Sequence, residues 1–172
     1  MARVGGVLLS GEGRSGGGLC LMVAVMHSPP YALHRDQGER LEFGDAVILL
    51  RVSAESSGGA LTIWEEIPPL LDTPLHVHAN EDELFHIIDG EHEFRCGERQ
   101  FRVGPGAFVH LPREVPHGHR RVVPGSGRFL VITTPGGFEG FFRILAEADR
   151  VGDLGPAAYD LASAQFGITW LS

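Results

Sequence analysis

With 172 residues, 43% of them hydrophobic and 21% charged, the chain has the make-up of one globular domain large enough to bury a proper core. A formal net charge of −8 with no basic cluster argues against nucleic acid or an anionic membrane as partner, and no apolar run approaches the ~20 residues of a membrane helix. Cys20 and Cys96 are the only cysteines and form no C-x-x-C pair, so a disulfide framework is not expected and a reducing cytoplasm is the default compartment.

Residues 1–30 are broken by Gly5-Gly6, Gly11, Gly13 and Gly16-Gly17-Gly18, with a short apolar run from Leu19 to Met26. These glycines split the apolar stretch that a secretory signal would need whole. A disordered extension is expected instead, with Met22 or Met26 as an alternative start. From about Leu41 the pattern turns to strands. Ala46 to Val52 and Ala60 to Trp64 flank Ser56-Ser57-Gly58-Gly59, a hairpin signal. His76 to His78 and Glu83 to Ile88 follow, and Asp89-Gly90 reads as a two-residue hairpin turn because both positions tolerate positive φ. Glu91 to Cys96, Gln100 to Val103, Ala107 to Leu111, Arg120 to Val123 and Phe129 to Thr133 continue the series, separated by glycine and proline turns. Many short strands at regular spacing predict an all-β sandwich or barrel over residues 31–137.

Residues 138–172 differ. Phe138, Phe141, Phe142 and Leu145 recur at the spacing of one helix face, glycines near 152–155 end that helix, and Pro156 can open a second through Ala164. An apolar helix face of this kind is expected to pack on the barrel or on a second subunit, in preference to forming a ligand lid.

The chemistry concentrates in four residues. On a strand His76 and His78 point to one face with Val77 opposed. With Asp89-Gly90 as the turn, Ile87 faces His92, Phe85 faces Phe94 and Glu83 faces Cys96, so Glu83 lies at the end of an apolar inner face. An unpaired carboxylate is costly there and a metal offsets the cost. His117 re-enters after Pro112. Three imidazoles and a carboxylate suit one divalent transition metal (Fe, Mn, Ni, Co, Cu or Zn), with Ca²⁺ disfavoured. Phe85, Ile87 and Phe94 are expected to form an apolar wall, and His119, two residues past His117, to face the same cavity. His92 reads as a core histidine, Cys96 as a small core residue, and His86 as an exposed partner of Glu93.

These residues resemble the cupin family. Its first motif, H-x-H followed by glutamate and glycine, matches His76, His78, Glu83 and Gly90; its second matches Gly106, Pro112 and His117. The family's glycine before the first motif is Leu70 here, its second-motif glycine is Glu114, and its trailing asparagine is Arg121. The resemblance implies a double-stranded β-helix (jelly-roll) barrel with the metal inside, and a homodimer. From Glu42 to Leu145 the chain is similar to the single-domain (cupin type 2) proteins of the quercetin 2,3-dioxygenase-like group. That similarity implies dioxygenase chemistry on a small hydroxylated aromatic or enol-like substrate, with Glu83 as metal ligand and proton acceptor. It also implies that Phe85 stands where relatives often carry a tyrosine. An O₂-independent isomerase or lyase and a non-catalytic metabolite-binding module are the alternatives.

Overall fold

The computed structural model describes residues 28–67, 72–123 and 127–171. The expected extension up to residue 27 with Cys20, the Leu70 position and the turn at 124–126 lie outside the described residues.

Two antiparallel sheets face each other. The first runs β1 (Glu39–Phe43), β2 (Ala46–Val52), β3 (Thr62–Ile67), β10 (Arg128–Thr134), β5 (Asp82–Asp89) and β8 (Phe108–Leu111) in spatial order. The second runs β11 (Ile168–Trp170), β4 (Thr73–His78), β9 (His117–Arg121), β6 (His92–Cys96) and β7 (Arg99–Val103). From β3 to β10 the chain alternates between the sheets except at the β6–β7 hairpin, in the manner of a jelly roll, or double-stranded β-helix. The two-residue period builds the core: Phe129, Val131 and Thr133 of β10 and Glu83, Phe85 and Ile87 of β5 all turn inward and are buried.

The expected β2–β3 hairpin forms, with Leu50 opposite Trp64. Its connection holds a short helix, α1 (Ala54–Ser57), capped by Ser53 and ended by Gly58 in the left-handed region at φ 64°. Strand β3 continues past Trp64 to Ile67, which brings Glu65 and Glu66 into the sheet.

The expected β5–β6 hairpin does not form. Asp89-Gly90 carries the chain from one sheet to the other, where β5 pairs with β10 and β8 while β6 pairs with β7 and β9. The inner-face assignment survives this change of partner. Phe85 and Phe94 meet across the interior with ring centroids 4.9 Å apart, rather than as cross-strand neighbours. Cys96 consequently sits beside His117 instead of Glu83. His86 lies tilted against Phe108 with ring centroids 4.4 Å apart and does not pair with Glu93, whose partner is Arg120.

The chain closes with α2 (Glu139–Arg150), α3 (Pro156–Phe166) and β11. Helix α2 packs its phenylalanine face on the first sheet, with Trp64 and Phe142 rings 5.1 Å apart and Phe43 and Phe142 rings 6.0 Å apart. Strand β11, unmarked in the sequence pattern, joins the second sheet against β4, with Trp170 opposite His76.

Candidate metal centre

Three histidines reach the centre from the second sheet and one glutamate from the first. His76 and His78 leave β4 on one face, and His117 of β9 is the direct cross-strand partner of His76. Glu83 approaches from β5, flanked by Thr133 and Leu111 on its neighbouring strands. All four residues are buried, and one ligand atom from each lies within 4.8 Å of the others.

Backbone details set this convergence. Strand β4 bulges by one residue between Thr73 and His76, where it passes β9. Gly118 permits the approach, since a Cβ at that position would come within 2.8 Å of the Thr73 carbonyl oxygen. The loop before His117 is tied down on two sides. Glu114 donates its backbone N–H to the His78 carbonyl at 2.8 Å, and Asp82 accepts from the Arg113 backbone N–H and Nε, both at 3.0 Å. Glu114, where the family motif has glycine, takes the left-handed conformation at φ 62°, so the loop keeps a glycine-like path without glycine.

The imidazoles present Nε2 inward. His76 donates Nδ1–H to the Pro74 carbonyl at 2.9 Å, His117 donates Nδ1–H to the Val115 carbonyl at 2.8 Å, and His78 Nδ1 lies 3.4 Å from the buried Glu81 carboxylate. With the ring protons so assigned, each Nε2 carries a lone pair. His76 Nε2 and His78 Nε2 then stand 3.1 Å apart with no proton between them, and His117 Nε2, buried without a hydrogen-bond partner, stands 3.5 Å from Glu83 Oε2. These separations match the roughly 3 Å between adjacent donors on an ion with bonds of about 2.1 Å. The residues therefore fit a divalent transition metal by donor type, protonation and spacing.

Burial sets the charge states around the centre. It lowers His76 to about 4, against an opposing pull from Glu83, and lowers His119 likewise to about 4. Burial alone would raise Glu83, but the imidazoles of His117, His78 and His76 that face it outweigh this and lower the carboxyl to about 2.

A cavity of about 650 Å³ opens beside this set, within the usual size range of small-molecule sites. Phe85 and His119 line it, with His76, His78 and Glu83. Ile87 and Phe94 do not. They point inward on the same faces but lie deeper, in the core with Phe129 and His92. His119 is held by Thr73, whose hydroxyl lies 3.0 Å from Nε2, and its Nδ1 is buried without a partner.

Several cavity residues were absent from the sequence reading. Trp64 and Glu66 of β3 follow from strand alternation once the strand is extended to Ile67. Phe138, Phe141, Phe142 and Leu145 form the facing wall, joined by Tyr159 of α3 and Trp170 of β11. The helix face expected to pack on the barrel does so while also bounding the cavity. No local sequence signal distinguishes these two uses of one apolar face.

Residues 63–133 match the family model described as "Cupin domain". The quercetin 2,3-dioxygenase of Bacillus subtilis is 26% identical over 119 residues, a match covering 69% of this chain and 35% of that protein. The chain thus spans about a third of the length of that relative. Among solved structures, KdgF from Halomonas sp. aligns at TM-score 0.55 and 12% identity, over 66% of this chain and 99% of that one. An RmlC-like cupin from Shewanella frigidimarina aligns at TM-score 0.52 and 15% identity, over 64% and 96%. Among the described residues no helix is long and apolar enough to cross a membrane.

Proposed function

We propose, from the match of residues 63–133 to the cupin domain model, that the chain is a cupin and a mononuclear metal-dependent oxidoreductase of the dioxygenase type, acting on a small hydroxylated aromatic or enol-like compound. The observation that carries this proposal is the buried set of three inward Nε2 lone pairs and one ionised carboxylate, opening onto a cavity walled by aromatic rings. His76, His78, Glu83 and His117 would hold the ion, which when bound supplies Lewis acidity and redox capacity. The likeness to the B. subtilis quercetin 2,3-dioxygenase supports the choice of reaction and substrate class.

The remaining roles fall to side chains. Phe85, Trp64 and Phe138 line the cavity and offer an aromatic substrate apolar surface to displace water. Glu83, ionised at neutral pH, is in the state needed to accept the proton of a substrate hydroxyl. His119, neutral at that pH, cannot compete as a cation for the same oxygen.

Elemental analysis of the purified chain should find close to one transition-metal ion per molecule, and a panel of phenols should be consumed with O₂ uptake. Failure to take up Fe, Mn, Co, Ni, Cu or Zn would remove the metal centre. Equal turnover under nitrogen would remove the oxygenase chemistry. Glu83→Gln should lower turnover by about 100-fold or more while metal content falls much less; parallel loss of both would make Glu83 a ligand only.

A further inference from the structure

Strand β3 turns Thr62, Trp64 and Glu66 toward the interior. The first two have structural work there: Thr62 bonds to Glu139 and accepts the Gly137 N–H at 2.9 Å, and Trp64 packs against Phe138 and Phe142. Glu66 has none. It lines the cavity with Glu83 and His119, and its carboxyl forms no hydrogen bond or ion pair with any described residue. Arg121 lies near enough to act on it through space, but the Arg121 side chain pairs with Asp72.

A partly buried carboxyl on the wall of a cavity lined mainly by apolar side chains, with no partner among the described residues, is expensive to leave unpaired once that cavity is dry. A ligand that fills the cavity and expels its water must either supply a hydrogen bond to Glu66 or carry that cost itself. Burial, and after it the Glu83 charge, pushes the Glu66 carboxyl up to about 8, with Arg121 pulling the other way. Protonated or not, the group accepts a hydrogen bond from a hydroxyl.

We propose that Glu66 is a second polar contact of the substrate, bonded to a ring hydroxyl other than the one that meets the metal set, so that the cavity selects polyhydroxylated rings over monophenols. The proposal rests on the phenolic substrate class proposed above.

The test is a thermodynamic cycle on the metal-loaded full chain. Wild type, Glu66→Leu and Glu66→Gln are titrated calorimetrically with phenol, catechol, resorcinol and hydroquinone, with metal content and melting temperature measured on each. Wild type should bind at least one benzenediol about tenfold or more tighter than phenol, and Glu66→Leu should erase that advantage while phenol affinity stays within about threefold. Glu66→Gln, which keeps an acceptor, should retain part of the advantage. If Glu66→Leu changes phenol and all three benzenediols by the same factor, the Glu66 contact is wrong and the phenolic class stands. If metal-loaded wild type binds none of the four, the phenolic class falls and the Glu66 contact with it. Should Glu66→Leu lose its metal, the Glu66→Gln cycle decides, and an unchanged benzenediol advantage there overturns the contact.

Discussion

An imidazole offers a metal its lone pair only when the proton sits on the other nitrogen, and the backbone settles that choice here. Pro74 and Val115, each two residues before one of the clustered histidines, turn their carbonyls back to Nδ1 of His76 and His117. The same loop holds the strained residue Glu114, in a conformation that costs an L-residue about 1–2 kcal/mol. Its side chain is exposed, so little is lost by removing it. Glu114→Gly should relieve that strain, partly offset by the greater freedom of glycine in the unfolded chain, for a net gain of about 0.5–1 kcal/mol. Thermal unfolding should register this as a rise of about 1–4 °C, with metal content unchanged. A fall in melting temperature would show that the Glu114 side chain holds the loop. The clustering of His76, His78, Glu83 and His117 was legible from residue type and strand alternation. Glu81 was not. In sequence it opens an acidic run that reads as solvated, and only the fold buries it beside His78.

At the level of elements, alternation told which face each residue takes but not which strand lies next to it. A two-residue period is satisfied equally by a hairpin and by a crossing between sheets. Asp89-Gly90 therefore suggested a hairpin, whereas Gly90, at φ 77°, lies against Gly127, with a hypothetical Cβ only 2.6 Å from the Gly127 Cα. Long-range ties of this kind leave no local trace, and Glu139 is another. At the start of α2 its buried carboxylate accepts the Ala54 N–H at 2.7 Å and the Thr62 hydroxyl, fastening the helix to the β2–β3 connection. Glu139→Ala leaves both donors unpaired and should cost about 1–3 kcal/mol, a drop of about 2–12 °C in melting temperature at the slope usual for this size. Glu139→Gln, which keeps one acceptor, should lose less. Equal effects of the two would assign the cost to packing rather than to the hydrogen bonds.

For the molecule as a whole, the cavity belongs to no single element. Its walls come from both sheets and from the C-terminal α2, α3 and β11, which is why sequence periodicity located the His76, His78, Glu83 and His117 cluster better than the rest of the cavity wall. Gathering titratable groups into that shared interior also links folding to pH, in two opposed directions. His76 and His119 hold protons less tightly when folded, at about 4 against an ordinary 6.5. The unfolded chain therefore binds more protons between those values, and the metal-free protein must lose stability as pH falls from about 6.5 toward 4. Glu66 acts in reverse. Its carboxyl keeps its proton up to about 8 when folded but releases it near 4.5 when unfolded, so its contribution is present below 4.5 and disappears as pH rises through 8. Melting temperatures of the metal-free chain between pH 4 and 8.5 should separate the two. Wild type should fall at the acid end, and relative to Glu66→Gln, whose amide does not titrate, it should also decline from pH 5 to 8. Parallel curves for the two proteins over that upper range would mean that the fold does not hold Glu66 protonated.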